Sequence, residues 1–481
     1  MFKNKKAKWL VFLTFFVSLF ISAGHLAPVQ AETENKVYQI AIDVTFAPFE
    51  FQNADGEYVG IDIDLLTAIA EDQGFEFELN PMNFSAGLQA VEAGQVDGMI
   101  AAMAITPERQ ESFDFSDPYF QAGPVIAVQE NNDEIQSYED LNGKTIAVKV
   151  GTTGAEFANS LAEDYDIQIN QFEDSATMYA DVEAGHADAT VDDYPVMAYA
   201  VQQGLALKFP MDPEEGDDYG FAVNLGENGE LLEMFNAGLA IIREDGTYDE
   251  IVDRYLSAEA SETTGNSVFT LFKENFPELM AGLRSTIVLT VLSFIISLIA
   301  GTILGLFSAT PNKILNAISN LYVTILRGIP LIVLAFFVYF SIPQMLGITV
   351  SAFWAGIVTL SLNTTAYIAE QVRGGILAVA PGQLEAARSL GMPYGSSMRK
   401  VVLPQAIKIM IPSLINQMVI TLKDTSILSI IGIVELTQTG RIIIARTYSS
   451  GVMWIMIGAM YLIIITILTK LSNILERRLT N

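Results

Sequence analysis

Arg109 is the residue of the acidic first half whose chemistry stands out. Residues 32–272 contain 49 aspartates and glutamates against only 7 lysines and arginines. The planar guanidinium group of an arginine can pair with a carboxylate through two parallel hydrogen bonds. Arg109 is therefore a candidate for binding a carboxylate-bearing ligand. The alternative is an ordinary surface pair with Glu108 or Glu111.

Thr152 and Thr153 can contribute to the same anion site. They precede a helical pattern, and the free backbone N–H groups at a helix N-terminus attract negative charge. We therefore expect these two residues to face the bound carboxylate together with Arg109.

The elements that must position these residues are strands alternating with helices. Apolar residues recur at helical spacing over Ile61–Gln73 and Phe84–Ala93. Strand-like runs cover residues 37–43, 98–103, 125–129, 145–150 and 221–224. The alternation predicts an α/β fold with a largely parallel sheet over residues 32–257, followed by a linker over residues 258–274.

The sequence has few residues that could support catalysis or bind a metal ion. The chain has no cysteine and only two histidines, His25 and His186. This excludes thiolate chemistry and leaves little for a histidine-based metal site or a catalytic triad. Gly143-Lys144-Thr145 resembles the end of a phosphate-binding loop, but Tyr138 occupies the position of its first glycine. We expect no metal, no cofactor and no enzymatic activity.

The chain divides into an acidic block and a basic, apolar block. The net charge is −42 over residues 32–272, +8 over residues 273–481 and +4 over residues 1–31. Such asymmetry indicates two different environments. The acidic block repels polyanions, so we expect no nucleic-acid partner.

Residues 1–31 have the pattern of a secretory signal peptide. Four lysines precede an apolar run from Trp9 to Ala23, and Val29-Gln30-Ala31 places small residues at a cleavage site. An apolar run of about 15 residues is short for a membrane span. We expect removal by signal peptidase, with retention as an extra anchor as the alternative, and export of the residues that follow.

Residues 275–481 are predicted to form an all-α membrane domain of five helices. Stretches long enough to cross a bilayer lie at residues 285–307, at 328–369 as two spans divided near Pro343, at 401–422 and at 447–469. Basic residues cluster between the third and fourth spans and after the fifth, which places the C-terminus in the cytoplasm. The acidic block then lies outside the cell.

Glu385-Ala386-Ala387, Gly391 and Leu403-Pro404 resemble the EAA loop of ABC importer permeases. In that family the segment is a short cytoplasmic helix that docks on the ATPase subunit. Glutamate and alanine favour a helix, and Gly391 can end it; the alternative is an ordinary amphipathic loop. The resemblance implies that residues 385–404 contact a separate ATP-binding subunit.

The acidic block resembles the two-lobed binding proteins of polar amino-acid importers, especially the glutamine binders, over residues 37–257. The matching segments are Gly60–Leu65, Ile105–Arg109, Phe115–Tyr119 and Val148–Thr153. The resemblance implies a type II periplasmic-binding-protein-like domain of two α/β lobes. Two strands would join the lobes, near residues 123–129 and 219–224, and the ligand would lie in the cleft.

The same resemblance implies which residues hold the backbone groups of an amino acid. Arg109 matches the arginine that binds the carboxylate, and Asp193 matches the position that binds the ammonium group. Ala104 departs from the pattern, because the family usually has a serine or threonine hydroxyl there. Asp193 and a backbone carbonyl, such as that of Ala102, would then hold the ammonium group.

The side-chain pocket is implied to have aromatic walls and polar contacts. Phe46 and Phe84 match the walls, and Asp43, Lys149 and Asp192 match the polar contacts. An acceptor and a donor suit a carboxamide, so glutamine ranks first. A second acid favours a cationic ligand such as arginine or histidine, whereas Lys149 opposes it through like-charge repulsion.

The predicted function is ATP-driven import of a polar amino acid by a fused binding domain and permease. The resemblance implies a homodimer of this chain in the membrane with two copies of an ATP-binding subunit. The alternatives are an amino-acid-gated ion channel and a sensor receptor. The membrane part follows a complete binding domain and has no Thr-Val-Gly-Tyr-Gly filter, and no kinase-sized cytoplasmic domain is present, so both alternatives are disfavoured.

Overall fold

The computed structural model describes residues 36–53, 55–256 and 268–480. The predicted signal peptide and residues 258–267 of the predicted linker lie outside the described residues. Within them the strands are β1 Val37–Ile42, β2 Thr45–Phe46, β3 Glu50–Gln52, β4 Tyr58–Val59, β5 Glu76–Pro81, β6 Gly98–Met99, β7 Phe113–Phe115, β8 Phe120–Ala122, β9 Pro124–Gln129, β10 Thr145–Lys149, β11 Gln168–Phe172, β12 Ala189–Asp193, β13 Leu207–Lys208, β14 Asp217–Tyr219 and β15 Ala222–Asn224.

The helices fall into two groups. Those of the binding domain are α1 Ile61–Gln73, α2 Phe84–Glu92, α3 Thr153–Asp164, α4 Ser175–Glu183, α5 Tyr194–Gln202, α6 Gly229–Glu244 and α7 Thr247–Leu256. Those of the second half are α8 Val268–Glu274, α9 Phe276–Ser308, α10 Lys313–Gly328, α11 Leu331–Phe336, α12 Ile342–Leu346, α13 Ala352–Leu377, α14 Pro381–Ser389, α15 Tyr394–Ser397, α16 Leu403–Asp424, α17 Leu436–Thr447 and α18 Ser450–Thr480.

The binding domain consists of two lobes, each built on a five-stranded sheet. Lobe 1, residues 37–119 and 220–256, has the strand order β5-β1-β6-β15-β7, and lobe 2, residues 123–216, has the order β11-β10-β12-β9-β13. Both sheets are mixed, because β15 runs antiparallel to β6, and β9 runs antiparallel to β12. The α/β two-lobed fold is confirmed, but the sheets are less parallel than the alternation predicted.

The two lobes are joined by a separate pair of strands. β8 and β14 form a two-stranded antiparallel sheet in which Phe120 pairs with Tyr219. Residues 124–129 and 222–224, where crossings were expected, pair instead inside the lobe sheets. The predicted crossings therefore lie a few residues away from the observed ones. The sequence pattern of the connecting strands continues into the lobe strands, so it does not show where the crossing ends.

Helix α1 shows how the local sequence forms this domain. Ile61, Leu65, Leu66 and Ile69 recur at helical spacing and are fully buried in the core of lobe 1. The helix ends at Gly74, whose φ of 73° is the left-handed conformation that favours glycine. The structure therefore has this helix at the bounds that its periodicity predicts.

The second half is a helical domain with four helices long and apolar enough to span a membrane, among the described residues. They cover Phe276–Ser308, Ala352–Leu377, Tyr394–Ile431 and Ser450–Leu471. A pair bent by 106°, Lys313–Gly328 with Leu331–Leu346, makes a fifth if it crosses as one span. The prediction of five spans agrees with this upper count, although the second span is bent and begins earlier than expected.

Close helix packing in this domain depends on small residues. A Cβ atom on Gly301 of α9 would lie 2.7 Å from Ile368 Cβ of α13, and one on Gly305 would lie 2.5 Å from Val372 Cβ. Glycine at these two positions lets the backbones approach, as is common between membrane helices. The two long helices therefore pack closely against each other.

Candidate functional site

The cleft between the lobes brings most of the predicted ligand residues together. Eight of them are at most 9% exposed: Asp43, Phe46, Phe84, Ala102, Arg109, Lys149, Asp192 and Asp193. Direct contacts cross from lobe to lobe, including Ser85 Oγ to the carbonyl of Val150 at 3.3 Å. The amide of Asn83 also donates to Glu173 at 3.2 Å. The lobes are therefore closed on each other.

Lys149 lies at the centre of the predicted side-chain pocket. Its Nζ is 2.6 Å from Asp43 Oδ2, 4.3 Å from the ring centre of Phe46 and 5.6 Å from that of Phe84. Burial alone would lower the pKa of Lys149, but the charges of Asp43 and Asp192 outweigh it and the pKa is raised. Lys149 is thus held as a cation inside an aromatic-walled slot.

Arg109 lies on the other predicted wall residue, Phe84, whose ring it shares with Lys149. It begins a short 3₁₀ turn and donates through Nη1 to the carbonyl of Ala104 at 2.8 Å and through Nη2 to that of Gly151 at 2.9 Å. Its guanidinium carbon lies 5.3 Å from the ring centre of Phe84. Arg109 therefore joins the two lobes from a buried position, which rules out the alternative of a surface ion pair.

The N-terminus of α3 lies next to Arg109 through Gly151. Thr152 caps the helix: its hydroxyl accepts from the backbone N–H of Ala155 at 3.3 Å and donates to the carbonyl of Lys149 at 2.8 Å. Thr153 is the first residue of the helix. The predicted helix N-terminus is confirmed in position, and its first N–H groups are those that an anion would meet.

Asp192 and Asp193 end strand β12 as a buried acidic pair. Burial raises the pKa of Asp193 to about 7, and the neighbouring charge of Asp192 adds to the shift. The Tyr219 hydroxyl donates to Asp193. Both oxygens of Asp192 are engaged inside lobe 2, Oδ2 by the Tyr179 hydroxyl at 2.6 Å and Oδ1 by the Asp193 N–H at 3.0 Å. Asp192 therefore supports the pocket wall.

Two buried acids behind the pocket were not singled out from the sequence. Asp62 Oδ2 accepts the backbone N–H of Ala102 at 2.7 Å and the Tyr119 hydroxyl at 2.9 Å. Ala102 has a φ of 44°, an uncommon conformation for a residue with a side chain. Asp62 therefore fixes the strained backbone whose carbonyl was predicted to face the ligand.

Glu50 is the second of these acids. It is fully buried beside Asp62, and neither of its side-chain oxygens accepts a hydrogen bond from an N–H or hydroxyl donor among the described residues. Burial raises its pKa well above the ordinary value, and the charges of Asp62 and Asp43 add to the shift. The only sign of this burial in the sequence is that Glu50 stands between apolar residues of a strand. The same pattern also fits an acid exposed to solvent at the edge of a sheet.

The predicted coupling segment forms a short exposed helix, α14. Glu385 and Ala386 are exposed, and Ala387 is the buried residue that attaches the helix to the domain. The helix ends at Ser389, and Gly391 has a φ of 83°. Leu390 is 84% exposed. The helix and its glycine end match the prediction.

Comparison with known families assigns both halves of the chain. Residues 38–258 match the bacterial extracellular solute-binding proteins, family 3. Residues 301–481 match the family described as binding-protein-dependent transport system inner membrane component.

Individual relatives and one solved structure are similar to the two halves of this chain. The arginine transport system permease protein ArtQ of Bacillus subtilis is 36% identical over 214 residues, which cover 44% of this chain and 98% of ArtQ. The glutamine transport system permease protein GlnP of Escherichia coli is 35% identical over 204 residues, 42% of this chain and 93% of GlnP. The second substrate-binding domain of Lactococcus lactis GlnP, solved in an open conformation, is 43% identical, with 48% and 99% coverage and a TM-score of 0.37.

The chain covers almost the whole length of permeases that are more than 30% identical to it. The chain belongs to the family of binding-protein-dependent ABC import permeases, and it has a solute-binding domain fused in front of its permease domain.

Proposed function

We propose that this chain binds glutamine in the cleft and imports it with energy supplied by a separate ATP-binding subunit. The proposal of glutamine rests on the Lys149–Asp43 pair in the aromatic slot. A carboxamide has both an acceptor for Lys149 and a donor for Asp43, so it can join this pair without leaving a buried charge unpaired.

A cationic side chain fits the same slot less well. Lys149 already occupies the position of a cation over Phe46, so arginine or lysine would bring two like charges together at low dielectric. Relatives named for arginine and for glutamine are equally similar to this chain. The proposal of glutamine therefore depends on Lys149.

The backbone groups of the ligand are assigned to Arg109, the N-terminus of α3 and Asp193. Arg109 and the N–H groups at Thr152 and Thr153 would bind the carboxylate, and Asp193 with the carbonyl of Ala102 would bind the ammonium group. This assignment is supported by the burial of Arg109 and Asp193 in one cleft. The Arg109 hydrogen bonds to two carbonyls would then be exchanged for the ligand's carboxylate when it enters.

The coupling to ATP is assigned to α14. Its exposed Glu385 and Leu390 offer a surface for a cytoplasmic subunit, with the binding domain outside the cell and the C-terminus in the cytoplasm. Two copies of this chain with two ATP-binding subunits would enclose one pathway. A mass measurement that gives one copy of each subunit would contradict this stoichiometry.

Ligand-stimulated ATPase activity tests the importer most simply. The complex purified with its ATP-binding subunit should hydrolyse ATP faster when glutamine is added, and Glu385→Ala should reduce this stimulation while glutamine binding is unchanged. A glutamine-gated ionic current in the absence of ATP would instead favour the channel.

A further inference from the structure

Glu50 and Asp62 are two buried carboxyl groups that meet behind the ligand pocket. We propose that they share one proton, and that the hydrogen bond made by this proton fixes Asp62 as the support of the Ala102 carbonyl that binds the ligand's ammonium group. The proposal rests on the amino-acid binding assigned to the cleft. It adds Glu50 and Asp62 as positioning residues that act on the ligand through Ala102.

The fold of lobe 1 brings these two carboxyl groups together. Glu50 begins β3 and pairs with Phe46 of the pocket wall. Asp62 lies in the first turn of α1, and its backbone N–H donates to the carbonyl of Phe49 at 2.9 Å. Gly60, with a φ of 132°, permits this approach, because a Cβ atom there would clash with the same carbonyl oxygen. The start of α1 is therefore fixed beside the strand that carries Glu50.

The surroundings of the pair require one proton. Glu50 and Asp62 are both 0% exposed, and two negative charges in contact inside a protein repel each other strongly. Both oxygens of Glu50 and Oδ1 of Asp62 also lack a hydrogen-bond donor among the described residues. A proton between Glu50 and Asp62 Oδ1 removes one of the two charges and supplies a hydrogen bond to oxygens that lack one.

The other hydrogen bonds of the pair decide which carboxyl group carries the proton. Asp62 Oδ2 accepts from the Ala102 N–H at 2.7 Å and from the Tyr119 hydroxyl at 2.9 Å, which favours the charged form of Asp62. Glu50 receives no such donor from the described residues, and burial together with the nearby acids raises its pKa well above the ordinary value. Glu50 is therefore the donor of the shared proton, and Asp62 is its acceptor.

The other titratable groups around the pair leave this proton in place. The charge of Asp43 raises the pKa of Glu50 further. Lys149 lowers it, but this effect is weaker than that of burial and of the two aspartates, and Lys149 Nζ is already 2.6 Å from Asp43 Oδ2. Tyr119 and Tyr248 face the second acid of the pair, and burial raises the pKa of both, so they stay neutral.

The shared proton matters for the ligand because Asp62 holds an unusual piece of backbone. Ala102 has a φ of 44°, which is uncommon for a residue with a side chain, and its N–H is bonded to Asp62. Without the proton, repulsion from Glu50 would push the Asp62 carboxylate away and weaken this bond. The Ala102 carbonyl would then lose the orientation that the ammonium group requires.

Infrared spectroscopy of the full chain detects the proton directly. The chain is prepared in dodecyl maltoside, a detergent without ester carbonyls, at about pH 8, above the pKa of about 7 of Asp193. The native chain should show the C=O band of a protonated carboxylic acid that Glu50→Gln lacks. Glu57→Gln, at an exposed glutamate, should keep this band. Identical spectra of the native chain and Glu50→Gln in this region would overturn the proposal.

Calorimetric titration of the same preparations with glutamine tests the link to binding. Asp62→Ala should raise the Kd about ten-fold, the effect of one lost hydrogen bond to a charged group. Asp62→Asn should restore most of the affinity, because its amide still accepts from the Ala102 N–H and can donate to Glu50. An unchanged Kd in Asp62→Ala, or an equal rise in both variants, would overturn the proposal.

The two experiments also separate this proposal from the proposed function. The infrared measurement needs no ligand, and it decides the question even if Asp62→Ala does not fold. Failure of the native chain to bind any amino acid would overturn the proposed function, whereas loss of the carboxylic acid band from none of the variants would overturn only the shared proton.

Discussion

Lys149 Nζ of lobe 2 lies 2.6 Å from Asp43 Oδ2 of lobe 1, and both side chains are at most 2% exposed. The pair therefore stabilises closure only while both charges are present. Lys149→Met would leave the buried Asp43 without a cation and with only the hydrogen bonds from Thr45, so we expect the free energy of unfolding to fall by about 3–5 kcal/mol. For a domain of this size the unfolding temperature would fall on the order of 10 °C, as calorimetric melting of the full chain would show.

The matched control for this prediction is Lys208→Met. Lys208 Nζ is also 2.6 Å from a carboxylate, that of Asp133, but the two side chains are 35% and 86% exposed. Such a surface pair contributes little to stability because water and salt screen it. Equal losses in the two variants would show that the buried pair has no special role.

Lys149 should also set the choice of ligand. In Lys149→Met the slot keeps Asp43 and its aromatic walls and loses its cation, so arginine binding should improve relative to glutamine binding by about ten-fold or more, since one removed charge repulsion of 1.4 kcal/mol has that effect. Both ligands are titrated into the same variant, so a smaller fraction of folded protein does not change the ratio of the two Kd values. A ratio of Kd values equal to that of the native chain would contradict the assignment of Lys149 to the side-chain pocket.

Ligand affinity should depend on pH through Asp193. Its pKa is raised to about 7 by burial and by Asp192, and the ligand's ammonium group needs the charged carboxylate. Affinity is therefore full above pH 7 and is lost as the pH falls, with roughly a ten-fold higher Kd at pH 6 than at pH 8. Asp193→Asn should bind weakly with little change over this range. A flat pH profile in the native chain would argue against Asp193.

Buried Glu50 should make the binding domain less stable as the pH rises. Its pKa in the folded protein is raised well above the ordinary value of 4.5. The folded state therefore keeps a proton that the unfolded chain has lost, and stability falls by up to about 1.4 kcal/mol for each pH unit across that window. Glu50→Gln removes this contribution, so its unfolding temperature should fall less steeply between pH 5 and 8.

The control for this slope is Glu57→Gln, at an exposed glutamate of the neighbouring turn. It should follow the native pH dependence. Parallel curves for Glu50→Gln and the native chain would mean that Glu50 is charged in the folded protein, with a cation or water that compensates it.

The sequence predicts the parts of this fold whose residues repeat with a clear period. Helix α1 has the predicted bounds because Ile61, Leu65 and Ile69 form one apolar face. Helix α10 was missed because Lys313 and Arg327 at its ends and the asparagines between them interrupt the apolar run. Helix α10 lies next to a bent membrane segment because of how the helices pack. The local sequence pattern does not show such packing.

The ligand site likewise contains residues that the sequence predicts and residues that it does not. Arg109, Asp43 and Lys149 could be selected because their residue types are rare or matched to a ligand group, and the structure brings them into one closed cleft. Asp62 could not, since an acid in the first turn of a helix is ordinarily a solvated N-terminal charge. Its role arises only from the hydrogen bond to Ala102, a residue 40 positions away.

The most direct measurement of the central claim is a calorimetric titration of the full chain with glutamine, glutamate, asparagine, histidine, arginine and lysine. We expect glutamine to bind most tightly and Arg109→Ala to abolish the binding. Arg254→Ala, which removes a 60% exposed arginine paired with Asp64, should leave it intact. Binding of glutamine that survives in Arg109→Ala, or no binding of any amino acid, would contradict the assignment of the cleft to glutamine.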